Sequence, residues 1–336
     1  MVKKTLNIIC LPMWLLSTIL IILPVFSPTV AGYWWWISLL ALPLFFVNLI
    51  SFFYWARTKS ILTVPEGLIL IFFIPILCPY IPSSFSNNEE KHSSQNELKI
   101  VSWNVNNFNL QPTSLQLVAK IIRSIRPDVI CLQERPHNNL LSWESIQKQF
   151  KEYPYMVKNQ REDEVLNLAI LSKYPLVNVQ TYYFPETFNK QMRTDVQIGQ
   201  KYVRLFNVHL QTTGLGVGGR NQGANKRNIF STLINNAIQR NMQAKFLSEK
   251  ILESSFPLIV CGDFNDVRTS YVYRTIAEHL QSPQSLGLSF QATYPSKMPL
   301  FKIDYIFCSN PLKAYNYRTI RHTVSDHCMQ VCSVRI

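Results

Sequence analysis

The sequence predicts an α/β domain carried behind a membrane-embedded N-terminal segment. Apolar runs that end in a polar residue recur through residues 97–336, and stretches with helical apolar spacing alternate with them. An abrupt change of composition near residue 96 predicts the anchor.

The runs are KIVSWN (99–104), DVICLQE (128–134), FNVHL (206–210), LIVCGDFN (258–265), KIDYIF (302–307) and SDH (325–327). Read as buried strands that stop at a polar group, they gather Asn104, Glu134, His209, Asp263, Asn265, Asp304, Asp326 and His327 at strand ends. Carboxylates and amides without a thiolate cluster suit a hard, oxygen-seeking divalent ion, and imidazoles exchange a proton near neutral pH. Residues 113–126 have helical spacing, with Thr113 as N-cap and Pro127 as the stop. Residues 226–253 read as one long or two short amphipathic helices.

SWN, LQE, GDFN, IDYIF and SDH, in that order, resemble the endonuclease/exonuclease/phosphatase superfamily, DNase I-like, over residues 97–336. The resemblance implies two mixed β-sheets flanked by helices, a four-layer α/β sandwich with the site at one end, and metal-dependent hydrolysis of phosphate esters. It implies Mg2+ or Mn2+ as cofactor, Glu134 as the main metal ligand, and Asn104 and Asp326 as secondary ligands or groups behind them. His327 resembles the general base or phosphate-stabilising imidazole and Asp304 its orienting carboxylate. Asp263 and Asn265 resemble the pair that positions water and phosphate, Asp263 being the base in some relatives, and His209 matches a second histidine of DNase I-like and sphingomyelinase-like members. Where many relatives have glycine before an AILS-like strand, this chain has Asn167.

Residues 1–81 read as an anchor of three transmembrane helices, about 6–26, 33–55 and 61–81, each near the ~20 apolar residues that cross a ~30 Å core. Glu66 is expected at the membrane interface, and Trp34, Trp35, Trp36, Tyr54 and Trp55 flank the second span as headgroup-level rings. Lys3, Lys4, Arg57 and Lys59 mark the cytoplasmic ends, while the connection from Ser27 to Gly32 is uncharged. Three crossings then place the catalytic domain, residues 98–336, on the extracytoplasmic face. Cleavage of the first segment as a signal peptide would leave it on the same side. Residues 82–97 read as a polar linker, a tether of at most ~58 Å.

The net charge is +13. Residues 1–96 carry five Lys/Arg against three Asp/Glu, which leaves 28 against 17 for the domain and suits an anionic partner. Cys131, Cys261 and Cys308 lie in strand interiors as small hydrophobes, and the seven cysteines form no persuasive disulfide pattern. Five of the ten glycines fall within 214–223, where Arg220, Lys226 and Arg227 follow closely, as in a flap over substrate or a plain connector.

The function expected is a nuclease-type phosphodiester hydrolase integral to the membrane. The alternative is a lipid-headgroup phosphodiesterase or phosphatase. A non-catalytic tethered binding module is opposed by the complete set of polar strand ends. The substrate is an anionic phosphate ester, nucleic acid or lipid headgroup, and no protein partner is predicted.

Overall fold

The computed structural model describes residues 2–77, 97–162, 166–214, 229–283, 292–296, 298, 299 and 301–336. One sheet runs in the order β10 (Lys313–Ile320), β11 (Met329–Arg335), β1 (Glu97–Asn104), β2 (Val129–Arg135), β4 (Asn167–Ser172), β3 (Tyr155–Lys158). The other runs β5 (Leu176–Tyr183), β6 (Lys190–Ile198), β7 (Lys201–His209), β8 (Leu258–Asp263), β9 (Asp304–Cys308). Both sheets are mixed. Each has one parallel pair, β1 with β2 and β7 with β8, and antiparallel neighbours elsewhere. A parallel pair needs a long crossover, and α5 (Pro112–Ile125) and α7 (Ile229–Leu252) provide the two.

These four strands are apolar without alternation because both of their faces are covered. Ile100, Cys131 and Ile170 meet Leu205, Cys261 and Ile306 between the sheets. Val101, Ile130 and Leu132 pack outward on Val118 and Ile122 of α5. Phe206, Val260 and Phe307 pack on Leu247 of α7 and Val272 of α8 (Tyr271–Ala277). The result is helix, sheet, sheet, helix, as the family resemblance implies. One polar group bridges the apolar interior: Asn207 of β7 accepts from Gln133 Nε2 at 2.7 Å and donates to the carbonyls of Leu132 and Ala169, both at 3.0 Å. Gly262 has φ +142°, and a Cβ there would lie 2.0 Å from the Val208 carbonyl oxygen, so only glycine lets β8 adopt this backbone just before Asp263.

Local details differ from the sequence expectations. Pro112, not a capped Thr113, opens α5; Gln111 stands at the cap with extended backbone, and the ring's fixed φ starts the first turn. Arg126, in the left-handed conformation, ends the helix before Pro127. The second helical stretch is a single helix, α7.

The N-terminal helices are α1 (Val2–Ile22), α2 (Pro28–Tyr33), α3 (Ala41–Arg57) and α4 (Thr63–Leu77). Three membrane spans are expected from the sequence, yet among the described residues one helical stretch, Trp35–Arg57, has the length and composition to cross. The apolar part of α1 ends at Pro24 and Ser27, where a 3-10 turn and a new cap interrupt it. The described part of α4, 15 residues, covers ~22 Å of a ~30 Å core, and residues 78–81 of the third predicted span lie outside the described residues. Glu66, expected at the interface, is instead buried between helices at 1 % exposure. Asn48 joins α3 to α1 by donating to Ser17 Oγ at 2.8 Å, a polar tie of the kind that holds apolar helices together. Leu11, Leu15, Phe46, Ile50, Phe53 and Ile71 all point outward.

The helical unit docks on the sandwich beside α7 and α8. Arg274 of α8 donates to the carbonyls of Ile21 at 3.1 Å and Leu20 at 2.5 Å, two of the acceptors that the last turn of α1 leaves without intrahelical partners. Asn241 of α7 donates to Pro28 O at 3.1 Å, and Thr269 donates to Ser38 O at 2.6 Å. Gly32 abuts Ile238 so closely that a Cβ would sit 2.3 Å from its Cγ1. Tyr271 inserts among Leu20, Ile37 and Phe73.

Candidate active site

Asn104, Glu134, His209, Asp263, Asp304 and His327 converge at one end of the sandwich. β1, β2, β7 and β8 finish there, and His209, Asp263 and Asp304 are lateral neighbours in the ladder. The sequence reading has every run stopping at its polar residue. The structure corrects this for two: Asp304 begins β9 and His327 precedes β11, and these strands run antiparallel to their neighbours, so their starts meet the others' ends.

Glu134 reaches the site through a bulge. Pairing between β2 and β4 shifts between Leu132 and Arg135, and Glu134 has φ +52°, a strained conformation of the sort that accumulates at functional sites. Asn167 donates to Arg135 O at 3.0 Å and so fastens the bulge from the next strand. Asn104 donates from one amide nitrogen to Glu134 Oε1 at 2.9 Å and Asp263 Oδ2 at 3.1 Å, and its oxygen accepts from Asn106 N. It therefore bridges the two carboxylates, and ligation through oxygen would require the amide to turn over. The loop after Asp263 folds back on it: Asn265 N donates to Asp263 Oδ1 at 2.8 Å, and Asn265 Nδ2 donates to Leu210 O.

His327 Nδ1 lies 3.1 Å from Asp304 Oδ2, and its Nε2 lies 3.7 Å from Asp263 Oδ2. Its backbone is held by Trp103 Nε1, which donates to His327 O, and by Ser325 Oγ, which accepts from His327 N and donates to Asn104 O. Burial opposes the charge on this ring, but Asp304, Asp263 and Glu134 outweigh it and raise the pKa to about 10. Burial raises Asp263 and Glu134 as well, and for Asp263 the charge of Asp304 adds to it.

His209 behaves in the opposite way. It is fully buried, and burial, with His327 and Lys190 adding repulsion, depresses its pKa to about 3. Neither ring nitrogen has a hydrogen-bond partner among the described residues, although Nε2 lies 3.6 Å from Glu134 Oε1 and 3.7 Å from Asp263 Oδ2. A neutral, unpartnered imidazole facing two carboxylates fits a divalent cation. Ligand atoms of Glu134, His209 and Asp263 lie within 4.8 Å of one another, as do those of Asp263, Asp304 and His327. Asp326 falls outside both groups.

A pH dependence follows. Unfolded His209 takes up a proton near pH 6.5 and the folded residue only near 3. Its contribution to stability is therefore complete above 6.5 and declines as pH falls, by up to ~1.4 kcal/mol per pH unit. The raised carboxyls of Asp263 and Glu134 act in the opposite sense over part of this window, so the informative quantity is a difference. Urea unfolding of the full chain in detergent and EDTA between pH 7 and 5 is expected to give a less steep loss, or a gain, of stability on acidification for His209→Gln than for wild type. Parallel curves would mean that His209 titrates normally.

Some site residues carry no clear sequence signal. Tyr294 stacks on His327, centroids 4.5 Å apart at 25°, and Thr293 Oγ1 accepts from Ile303 N and Asp304 N at 2.9 and 3.0 Å. Both belong to a stretch with no periodicity, and their position upstream of KIDYIF is the only hint. Asn107, three residues after Asn104, donates to Glu134 Oε2 at 3.4 Å. Arg220, Lys226 and Arg227 of the glycine-rich segment lie outside the described residues.

A family model, Endonuclease/Exonuclease/phosphatase family, matches residues 101–327. The chain belongs to this family. Members of the endonuclease/exonuclease/phosphatase family are metal-dependent phosphoesterases, and the strand-end cluster lies within the matched region. Among solved structures, TDP2 from C. elegans is similar with TM-score 0.56 and 18% identity, over 71% of this chain and 75% of that one. The endonuclease/exonuclease/phosphatase from Beutenbergia cavernae gives TM-score 0.54 and 18% identity, over 72% of each chain. D. rerio TDP2 complexed with single strand DNA product gives 0.55 and 18%, over 71% and 99%. At such identities these neighbours establish the family's fold. Among curated proteins no match is found.

Proposed function

We propose that the chain is a membrane-anchored, divalent-metal-dependent hydrolase of phosphodiesters, with its catalytic domain on the extracytoplasmic face. One observation carries the chemistry: two groups of ligand and proton-exchanging side chains share Asp263 at the end of the sandwich. A divalent ion held there, with Glu134, His209 and Asp263 as ligands, supplies positive charge against the nonbridging oxygens.

The residues do the rest. His327, protonated at neutral pH, aims its Nε2 proton into the site, where it meets charge building on the phosphoryl group or the departing oxygen. Asp304 fixes that orientation from the other side of the ring, as the third member of a triad does. Asp263 accepts a proton from the attacking water, and Asn265 holds the loop that aims it. Water adds to phosphorus, one P–O bond breaks, and the products are a phosphate monoester and an alcohol. Asp326 lies outside the ligand groups, and its charge adds to the rise of the Glu134 pKa.

The anchor reading rests on Trp35–Arg57 and on the apolar side chains of α1, α3 and α4 that face outward. Three crossings remain the proposal, with α1 and α4 flanking the central span. The uncharged connection 27–32 lies at the docked end of the bundle and Arg57 at the other, which agrees with an extracytoplasmic domain. A nucleic acid is one reading of the substrate, since D. rerio TDP2 holds a DNA product; a lipid headgroup is the other. Purified full-length protein is expected to hydrolyse bis(4-nitrophenyl) phosphate with Mn2+, and a reporter fused after Ile336 to be active outside the cytoplasm. No turnover with either Mg2+ or Mn2+ would sink the hydrolase reading, and a reporter active only in the cytoplasm would overturn the orientation.

A further inference from the structure

The polar tether predicted for residues 82–97 lies, up to residue 96, outside the described residues; the described contacts already hold the sandwich against the helical unit. Thr269, four residues beyond Asn265, donates to the carbonyl of Ser38, which lies in the first turn of the Trp35–Arg57 stretch. From Asp263, which both ligand groups share, six residues lead to Thr269 and extend at most ~22 Å, so the site stands within that distance, plus one hydrogen bond, of the end of the Trp35–Arg57 stretch. Three further ties make the placement rigid: Arg274 on the last carbonyls of α1, Asn241 on Pro28 O, and Gly32 pressed against Ile238. A buried ion pair, Arg240 Nε to Asp266 Oδ2 at 2.9 Å, joins α7 to the same loop that runs from Asp263 to Thr269. The loop that shapes the site and the loop that meets the anchor are therefore one segment.

We infer that the substrate is a phosphodiester borne by a lipid of the same bilayer that holds the enzyme, taken in the plane of the membrane. The interfacial layer adds roughly 5 to 8 Å to each side of the hydrocarbon core, so a site held this close to the helix end stands over the headgroups of its own leaflet, where lipid phosphate is the most concentrated phosphodiester. The first turn of α7, the helix that carries the dock, exposes Ile229 and Phe230, and the turn before β6 exposes Phe188 beside Asn189, which donates to Leu210 O at the site. Exposed apolar groups of this kind suit the boundary between headgroups and acyl chains. The positive balance of the domain favours an anionic leaflet. A soluble polymer makes no use of any of this.

The inference rests on the hydrolase reading, and the test separates the two. The full-length chain is reconstituted with Mn2+ into vesicles of phosphatidylcholine, phosphatidylethanolamine, phosphatidylglycerol and phosphatidylinositol. Labelled lipid is placed either in those vesicles or in separate protein-free ones, and bis(4-nitrophenyl) phosphate and single-stranded DNA are offered in solution. Hydrolysis of labelled lipid is expected to be at least tenfold faster in the enzyme's own vesicles than in the separate ones, and faster than cleavage of DNA at equal phosphate. Arg274→Gln combined with Asn241→Ala, which loosens the dock and leaves the site untouched, is expected to keep small-diester turnover and lose most of that preference. Turnover of the small diester with lipid untouched, with equal rates in both vesicle populations, or with DNA as the faster substrate, overturns the inference alone. Failure on the small diester removes the hydrolase reading and this inference with it. A loosened variant that loses small-diester and lipid turnover in equal proportion would show that the dock only supports the fold.

Discussion

His327→Ala is expected to lower kcat on a small phosphodiester by ~10²- to 10⁴-fold, the scale on which enzymes lose a general acid or base, while the fold survives. The loss should be large because no neighbour can replace this ring. Its Nδ1 is engaged by Asp304, its Nε2 points toward Asp263, and its backbone is fixed by Trp103 and Ser325. Three carboxyls around it keep it charged through neutral pH. Removing the imidazole leaves Asp263 and Asp304 facing each other without the intervening positive charge, so proton delivery and the electrostatics of the site fail together. Stopped or steady-state kinetics beside a melting curve checks both halves of the statement. A loss below threefold with an unchanged melting curve would take His327 out of the mechanism.

Chelation and Glu134→Ala are expected to be as severe. Removal of the divalent ion by EDTA should abolish turnover, and Glu134→Ala should lower it by ~10³-fold or more, the equivalent of ~4 kcal/mol of transition-state stabilisation. Glu134 is bulged toward His209 and Asp263 at the cost of a strained backbone, which a stability role alone would not require. Titration of Mn2+ followed by electron paramagnetic resonance gives an independent measure: the variant should bind the ion more weakly, whereas equal affinity with lost turnover would shift Glu134 from ligand to proton carrier. Full activity in chelator would remove metal from the chemistry altogether.

Much of the site is legible in the sequence because buried strands write their ends plainly. An apolar run that stops at Asn104, Glu134, His209 or Asp263 needs no partner to be recognised, and parallel β1 and β2, like β7 and β8, bring such ends together. What a run does not record is its direction relative to a neighbour, so the placement of Asp304 and His327 at strand starts emerges only from the antiparallel pairing. Tyr294 escapes because a ring stacked on a residue far along the chain leaves no periodic trace. The dock escapes for a related reason: Arg274 serves carbonyls some 250 positions away, and a carbonyl acceptor has no side-chain identity to read. Apolar composition alone predicts a first span running to about residue 26, whereas the 3-10 turn at Leu23–Val25 and the new cap at Ser27 end its regular helix.

Asn207 carries a mechanical meaning beyond its hydrogen bonds. The sandwich supplies Asn104 and Glu134 from one sheet and His209, Asp263 and Asp304 from the other, and apolar side chains between two sheets resist separation far better than they resist gliding. A glide of one residue pitch, ~3.3 Å, would carry Glu134 out of reach of His209 and dissolve the ligand set while the apolar faces stayed covered. The amide of Asn207, gripping Gln133 and two backbone carbonyls of the opposite sheet, acts as a dowel against that shear. Loops around the mouth can therefore diverge freely to suit new substrates, since alignment of the two half-sites is keyed in the interior and not at the rim.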